Sequence, residues 1–140
     1  MTPRVIDAKD LIVGRLCSYI AKQSLLGQSF DIINIEQSII TGKPQQIFAK
    51  YRQKTERGRP TSGPFIHRSA RELFKRSLRN MLPYKNTKGI EALARIKIYK
   101  GVPARFKEVQ TETLQSANVS KVPNLKYVRL QEITKHLGGK

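Results

Sequence analysis

Four acidic side chains fall near the ends of predicted strands, where metal-dependent nucleases hold Mg²⁺: Asp7, Asp10, Asp31 and Glu36. Carboxylate oxygens are the ligands that Mg²⁺ takes in such enzymes. No two of these acids have the spacing of a recognisable catalytic pair. The sequence therefore predicts no catalytic residue and no metal ligand. A metal-dependent nuclease that acts on RNA through Asp7 and Glu36 remains an alternative.

Other reactive residue types are sparse. Cys17 is the sole cysteine, so the chain has no internal disulfide, and we expect a buried thiol in a reducing cytosol. His67 and His136 lack the nearby ligand partners that a zinc site needs. The pair Gly42-Lys43 is followed by Pro44 rather than Ser or Thr, which argues against a phosphate-binding loop. We therefore expect no cofactor and no small-molecule substrate.

Positive charge is the strongest signal in the sequence. The 140 residues carry a net charge of +17, and self-repulsion of that size favours a polyanionic partner. Residues 43–107 contain 18 Lys or Arg and three acidic residues, whereas the rest of the chain contains 9 basic and 7 acidic residues. A merely solubilising surface would not divide in this way, so the sequence predicts a nearly neutral scaffold that carries a basic binding region.

The first part of the basic region, residues 52–64, contains two glycines, two prolines and no aliphatic or aromatic side chain. Such a segment cannot bury enough surface to offset its ordering entropy, so it is predicted to be a mobile arm when alone. Arginine-rich arms commonly become ordered on RNA.

A basic amphipathic helix is predicted to follow, over residues 69–82. Ser69 and Glu72 match a capping box, and Pro83 ends the pattern. One arc of this helix is apolar: Ala70, Leu73, Phe74, Leu78, Met81 and Leu82. The other arc is basic: Arg68, Arg71, Lys75, Arg76 and Arg79. A solvated face normally mixes signs, so a face of one sign suits a row of phosphates.

The candidate RNA-binding residues come from the arm, this helix and the flanking turns. They are Lys43, Lys50, Arg52, Lys54, Arg57, Arg59, His67, Arg68, Arg71, Lys75, Arg76, Arg79, Lys85 and Lys88. Phe65 and Tyr99 could stack on bases, but isolated aromatic residues more often lie in a core, and a core position is expected for both.

The scaffold is predicted from hydrophobic periodicity. Val5-Ile6 reads as a strand, residues 14–26 as a helix with Gly27 at its C-cap, and residues 30–35 as a strand covered on both faces. This order is typical of a βαβ unit. A short helix after Pro44 is expected to end where the sequence turns basic, and the alternating residues 95–100 predict an edge strand.

Ordered short motifs resemble the ribosomal protein L13 family, in its archaeal and eukaryotic form. They are Val5-Ile6-Asp7-Ala8, Gly14-Arg15-Leu16, Asn34-Ile35-Glu36, Ile40-Thr41-Gly42, Phe48-Ala49-Lys50-Tyr51, Gly63-Pro64-Phe65, Arg68-Ser69, Met81-Leu82-Pro83, Lys88-Gly89, Ile96-Lys97-Ile98-Tyr99 and Gly101-Val102-Pro103. The short tail resembles archaeal members, and Asn80 stands where the family pattern suggests glycine.

The resemblance implies a three-layer α/β/α fold around a mostly parallel four-stranded sheet, with a basic loop and a C-terminal extension. One L13-like domain would span residues 1–140, with the arm at about 52–64 and the extension at about 107–140.

The resemblance also implies a function that is not enzymatic. The chain would be a cytoplasmic structural constituent of the large ribosomal subunit. It would bind large-subunit rRNA, contact neighbouring ribosomal proteins and support subunit assembly. A general basic nucleic-acid-binding module is the other alternative, although no helix-turn-helix or zinc-finger spacing is present. No membrane partner is expected, since no apolar run is longer than the three residues 11–13, which is far too short to span a bilayer.

Overall fold

A computed structural model describes residues 2–139 of the chain. Its helices and strands follow in the order β1 (Arg4–Asp7), α1 (Val13–Leu25), β2 (Phe30–Ile33), β3 (Ile39–Thr41), α2 (Pro44–Glu56), α3 (Ala70–Asn80), α4 (Thr87–Ala94), β4 (Ile96–Ile98), β5 (Tyr127–Arg129) and α5 (Leu130–His136). Short 3₁₀ turns cover Ile35–Gln37, Ala104–Phe106, Gln115–Ala117 and Val119–Lys121.

The central sheet has three parallel strands in the order β1-β2-β4. Ile32 of β2 pairs with Ile6 on one side and with Ile98 on the other. All four residues of β2 are buried, as the dense apolar run predicted. The βαβ unit and the position of β4 at the sheet edge are confirmed.

The α/β class is confirmed, but the expected sheet of four strands is wrong in detail. β3 leaves the parallel sheet and pairs with β5 in a separate two-stranded antiparallel sheet, in which Ile40 faces Val128. The chain turns away from β2 at Asn34, whose φ of 54° lies in the left-handed region. The 3₁₀ turn Ile35–Gln37 follows at once, so β3 cannot continue the plane of β2.

The main core lies on one face of the central sheet. Ile32 and the other apolar side chains of that face pack with Leu16 and Ile20 of α1 and with Phe74 and Leu78 of α3. On the opposite face a smaller cluster joins Val5 and Ile33 to Phe106, and Tyr99 packs against it. The third layer is therefore built there by the chain after β4, through the 3₁₀ turn Ala104–Phe106.

Helix α1 ends as its sequence predicted. Gly27 has a φ of 99°, and its N–H donates to the carbonyl of Ser24, while the N–H of Gln28 donates to that of Gln23. This pair of hydrogen bonds is the Schellman motif, which places glycine in the left-handed position.

Helix α2 does not end where the sequence turns basic. It continues to Glu56, so residues 52–56 of the predicted arm are helical. These residues are helical despite their polar composition, because extending an existing helix fixes only one residue per added hydrogen bond, which costs far less than starting a helix. An ion pair between Arg52 and Glu56, with 3.7 Å between N and O, also supports this turn.

Helix α3 lies at the predicted place with Ser69 as its N-cap, but the Ser69 side chain makes no capping hydrogen bond. Met81, predicted on the apolar arc, is 45% exposed. The helix closes with Met81 in ordinary right-handed backbone, so the glycine expected in place of Asn80 is not required by the backbone. Within residues 2–139 no helix is long and apolar enough to cross a membrane.

Candidate nucleic-acid interface

The C-terminal half of α2, the loop of residues 57–68 and the polar side of α3 form one surface, which we call the basic surface. Lys54 of α2 and Arg76 of α3 line the same small cavity, together with Tyr51 and Asn80. Helix α3 can carry its charges outward because Leu73, Phe74 and Leu78 are buried on its other side.

Several positively charged side chains lie around Lys54. Its pKa is lowered, first by burial and then by repulsion from Lys50, Arg76 and Arg57. The Nζ atom of Lys54 also lies 5.2 Å from the centre of the Tyr51 ring. Because cations from α2, the loop and α3 all act on this ammonium group, the tertiary structure concentrates the positive charge that the sequence placed in one segment.

The loop between α2 and α3 is closed on itself. The Arg59 N–H donates to the Gly63 carbonyl at 3.2 Å, and the Gly63 N–H donates to the Arg59 carbonyl at 3.0 Å. Gly58 and Gly63 both have positive φ, and a Cβ on Gly58 would lie 1.8 Å from the Gly63 oxygen. Only glycine at position 58 lets the two sides of the loop approach so closely. The mobility of this arm remains a prediction.

A concave region continues the basic surface along α3. His67, Lys75, Arg76 and Arg79 line a cleft of about 310 Å³, together with Glu72 and Leu93. The Arg79 guanidinium lies 5.0 Å from the centre of the Tyr84 ring, which is the range of a cation–π contact. This contact joins α3 to the turn that carries Lys85.

Of the fourteen predicted RNA-binding residues, Lys54 and Lys75 are half-buried and the other twelve are exposed. The cavities and charge interactions described above bring seven of them together: Lys50, Lys54, Arg57, His67, Lys75, Arg76 and Arg79. Lys43 is the N-cap residue of α2, at the end far from the loop, and Lys88 lies in α4. Within residues 2–139 no side-chain hydrogen bond, ion pair or shared cavity joins the Lys43 or Lys88 side chain to the basic surface.

The structure changes the interpretation of two aromatic residues of this region, Phe65 and Tyr84. Phe65 is 74% exposed, so the core position predicted for it is wrong, whereas Tyr99 does pack in the smaller core. Tyr84, which was not predicted as a binding residue, is 41% exposed beside Arg79. The sequence feature that could have predicted the exposure of Phe65 is its place between a Gly-Pro pair and His67-Arg68, where no apolar periodicity supports a core residue.

The acids of the nuclease alternative hold the scaffold together. Asp7 accepts hydrogen bonds from Asn34 and from the Lys9 backbone, both at 3.0 Å. Asp10 pairs with Arg129 at 3.2 Å. Glu36 accepts the Gly101 N–H at 3.0 Å.

Asp31 is buried on the opposite face of the sheet, with its Oδ1 atom 3.9 Å from the Arg105 guanidinium. Among the described residues, no three His, Cys, Asp or Glu side chains are grouped so that they could hold a metal ion. Cys17 is fully buried, and burial raises the pKa of its thiol to about 12. The thiolate that a nucleophile requires is therefore scarce at neutral pH.

Comparison with known proteins agrees with the motifs. A family model described as "Ribosomal protein L13" matches residues 2–105. The chain belongs to the ribosomal protein L13 family. Within this family, similar proteins are the large ribosomal subunit protein uL13 of Methanosarcina barkeri, 39% identical over 97% of this chain and 98% of the relative, and that of Methanopyrus kandleri, 40% identical over 96% and 86%.

A third L13 relative, uL13 of Archaeoglobus fulgidus, is 38% identical over 96% of this chain and 86% of its own length. The predicted archaeal type is confirmed by these relatives. Members of the L13 family are structural ribosomal proteins and not enzymes, which agrees with the structural roles of Asp7, Asp10 and Glu36.

Proposed function

We propose that this chain is a structural constituent of the large ribosomal subunit that binds large-subunit rRNA through its basic surface and supports subunit assembly. The relatives carry the name of a large-subunit protein. The observation on which the proposal rests is the convergence of Lys50, Arg57 and Arg76 on Lys54.

That convergence is costly in the free protein, because like charges repel in a partly buried place. Phosphates would reverse the cost, since each one supplies the missing negative charge and several hydrogen-bond acceptors. The exposed arginines along α3 and the loop suit such contacts, because a guanidinium can bind one phosphate with two donors.

A general nucleic-acid-binding module would also have a basic surface, but it would not prefer folded RNA to duplex DNA. The test is to measure affinity for folded large-subunit rRNA and for duplex DNA of equal length at one salt concentration. We expect rRNA to bind at least tenfold more tightly. Equal affinities would contradict a ribosomal role and leave only the general module.

Assembly and protein contacts belong to the same proposal. Reconstitution of large subunits with and without the protein should show slower or incomplete assembly in its absence, and the protein should sediment with complete subunits. The neighbouring contacts would be ribosomal proteins, at surfaces of this chain that the rRNA does not cover.

The pKa of Lys54 should rise when rRNA binds. Burial and neighbouring cations lower it in the free protein, and a nearby phosphate favours the charged ammonium form. NMR titration of isotope-labelled lysine side chains, with and without rRNA, would measure the change. The rise should vanish in about 1 M salt, where the contacts are screened. An unchanged Lys54 pKa in the complex would exclude this residue from the interface.

A further inference from the structure

The loop of the basic surface forms a cleft that charge alone does not explain. The cleft has a volume of about 480 Å³, and its walls combine Phe65, Ile66, Pro60 and Pro64 with Arg59, Arg68 and Glu56. Pockets of about 300–1,000 Å³ take small ligands in proteins. A site for phosphate alone would need no aromatic or proline wall. A site for a purely apolar ligand would not be lined by two arginines.

The Phe65 ring is exposed and yet held in place. It is 74% exposed, and a Cβ built on Gly63 would lie 3.3 Å from its Cδ2 and Cε2 atoms. The ring therefore rests on the backbone of Gly63, whose own position is fixed by the two hydrogen bonds with Arg59. Such a ring offers a flat, preorganised surface at little cost in side-chain entropy.

The backbone that carries Arg68 is also held in place. A Cβ on Gly139 would lie 2.1 Å from the Arg68 carbonyl oxygen, so the C-terminal tail packs closely against the Arg68 backbone. Glu56 is paired with Arg52 and presents a carboxylate that can accept a hydrogen bond. The lining of the cleft thus combines an aromatic ring, two cationic side chains and one carboxylate acceptor.

We propose that this cleft takes one unpaired nucleobase of the bound RNA, stacked on Phe65, with the adjoining phosphates at Arg59 and Arg68. The inference rests on the proposed function and adds to it a contact with a base. Sequence-specific recognition of RNA uses unpaired bases stacked on aromatic side chains, and an aromatic ring accepts any base because every base has a π-face.

The test compares Phe65→Leu, which keeps an apolar side chain, with Phe65→Tyr, which keeps the ring. Phe65→Leu should weaken binding to large-subunit rRNA by roughly tenfold, without changing the salt dependence, since no charge is lost. Phe65→Tyr should bind like the unchanged protein. Leu125→Ala, at another exposed apolar residue outside the basic surface, is the matched control and should have no effect.

Chemical probing of Watson–Crick edges in the complex supplies a second measurement. At least one unpaired base should be protected by the unchanged protein and by Phe65→Tyr, and should become reactive with Phe65→Leu. If Phe65→Leu binds rRNA within twofold of the unchanged protein and leaves the probing pattern intact, the cleft takes no base, although the proposed function stands. If the unchanged protein fails to bind rRNA, both proposals are wrong.

Discussion

Replacing Arg71, Lys75 and Arg79 together with glutamine should lower the affinity for large-subunit rRNA by about a hundredfold or more in 0.1 M salt. The three residues follow one another at four-residue steps along α3. Each lost phosphate contact should reduce the slope of log K against log salt by about 0.7 to 0.9. Three contacts therefore change the slope by about 2 to 3, and the affinities of the two proteins should converge near 1 M salt.

The fold should tolerate this change. Among residues 2–139, Arg71 pairs only with the neighbouring Glu72, at 3.9 Å, and such exposed pairs contribute little to stability. Loss of the contact between Arg79 and Tyr84 should cost about 0.5 to 1 kcal/mol.

The matched control replaces Lys9, Lys22 and Lys121 with glutamine. These lysines are exposed and lie outside the basic surface, and their loss removes the same net charge. The control should keep nearly all of the affinity. If both triple variants lose affinity and salt dependence equally, binding follows the total charge, and α3 is not a specific contact surface.

Replacing Gly89 with alanine should destabilise the fold by about 3 kcal/mol and lower the Tm by roughly 10 °C. A Cβ at this buried position in α4 would lie 2.1 Å from the Pro83 carbonyl oxygen and 2.9 Å from the Tyr84 nitrogen. Both atoms belong to the backbone, so neither can swing aside as a flexible side chain would. Thermal and denaturant unfolding followed by circular dichroism would measure the loss.

Gly14→Ala is the control for that experiment. Gly14 also lies in a helix, α1, but a Cβ there would meet no atom of another described element within 4 Å. Alanine should stabilise α1 by up to about 1 kcal/mol, because glycine is the poorer helix former. Opposite signs for the two substitutions would separate the close approach at Gly89 from helix propensity. A neutral Gly89→Ala would mean that α4 can move away from Pro83 without cost.

Much of the architecture was predictable because its causes are local in the chain. The periodicity of α1, the glycine at position 27 and the dense run of β2 all act between residues a few positions apart. The uneven distribution of Lys and Arg along the chain also marked the segment that forms the basic surface. The ordered short motifs of the sequence also indicated the ribosomal protein L13 family.

Two predictions from local composition were wrong: the end of α2 and the burial of Phe65. Residues 52–56 have no apolar side chain, and yet they continue α2 because the helix was already formed. Phe65 resembled a core residue by type alone, but the loop leaves no core beside it to bury the ring.

The amino-acid sequence by itself determined the α/β class, the βαβ unit, the sign of the charge and the segment that bears it. Only the tertiary structure decided that β3 pairs with β5, that Gly89 lies against Pro83, and that Lys54 meets Arg76. The β3–β5 pairing and the approach of Lys54 to Arg76 join residues far apart in the chain, and the contact at Gly89 depends on how α4 packs against the turn before it. Their existence depends on how whole elements pack, which no pattern within a short window of residues can specify.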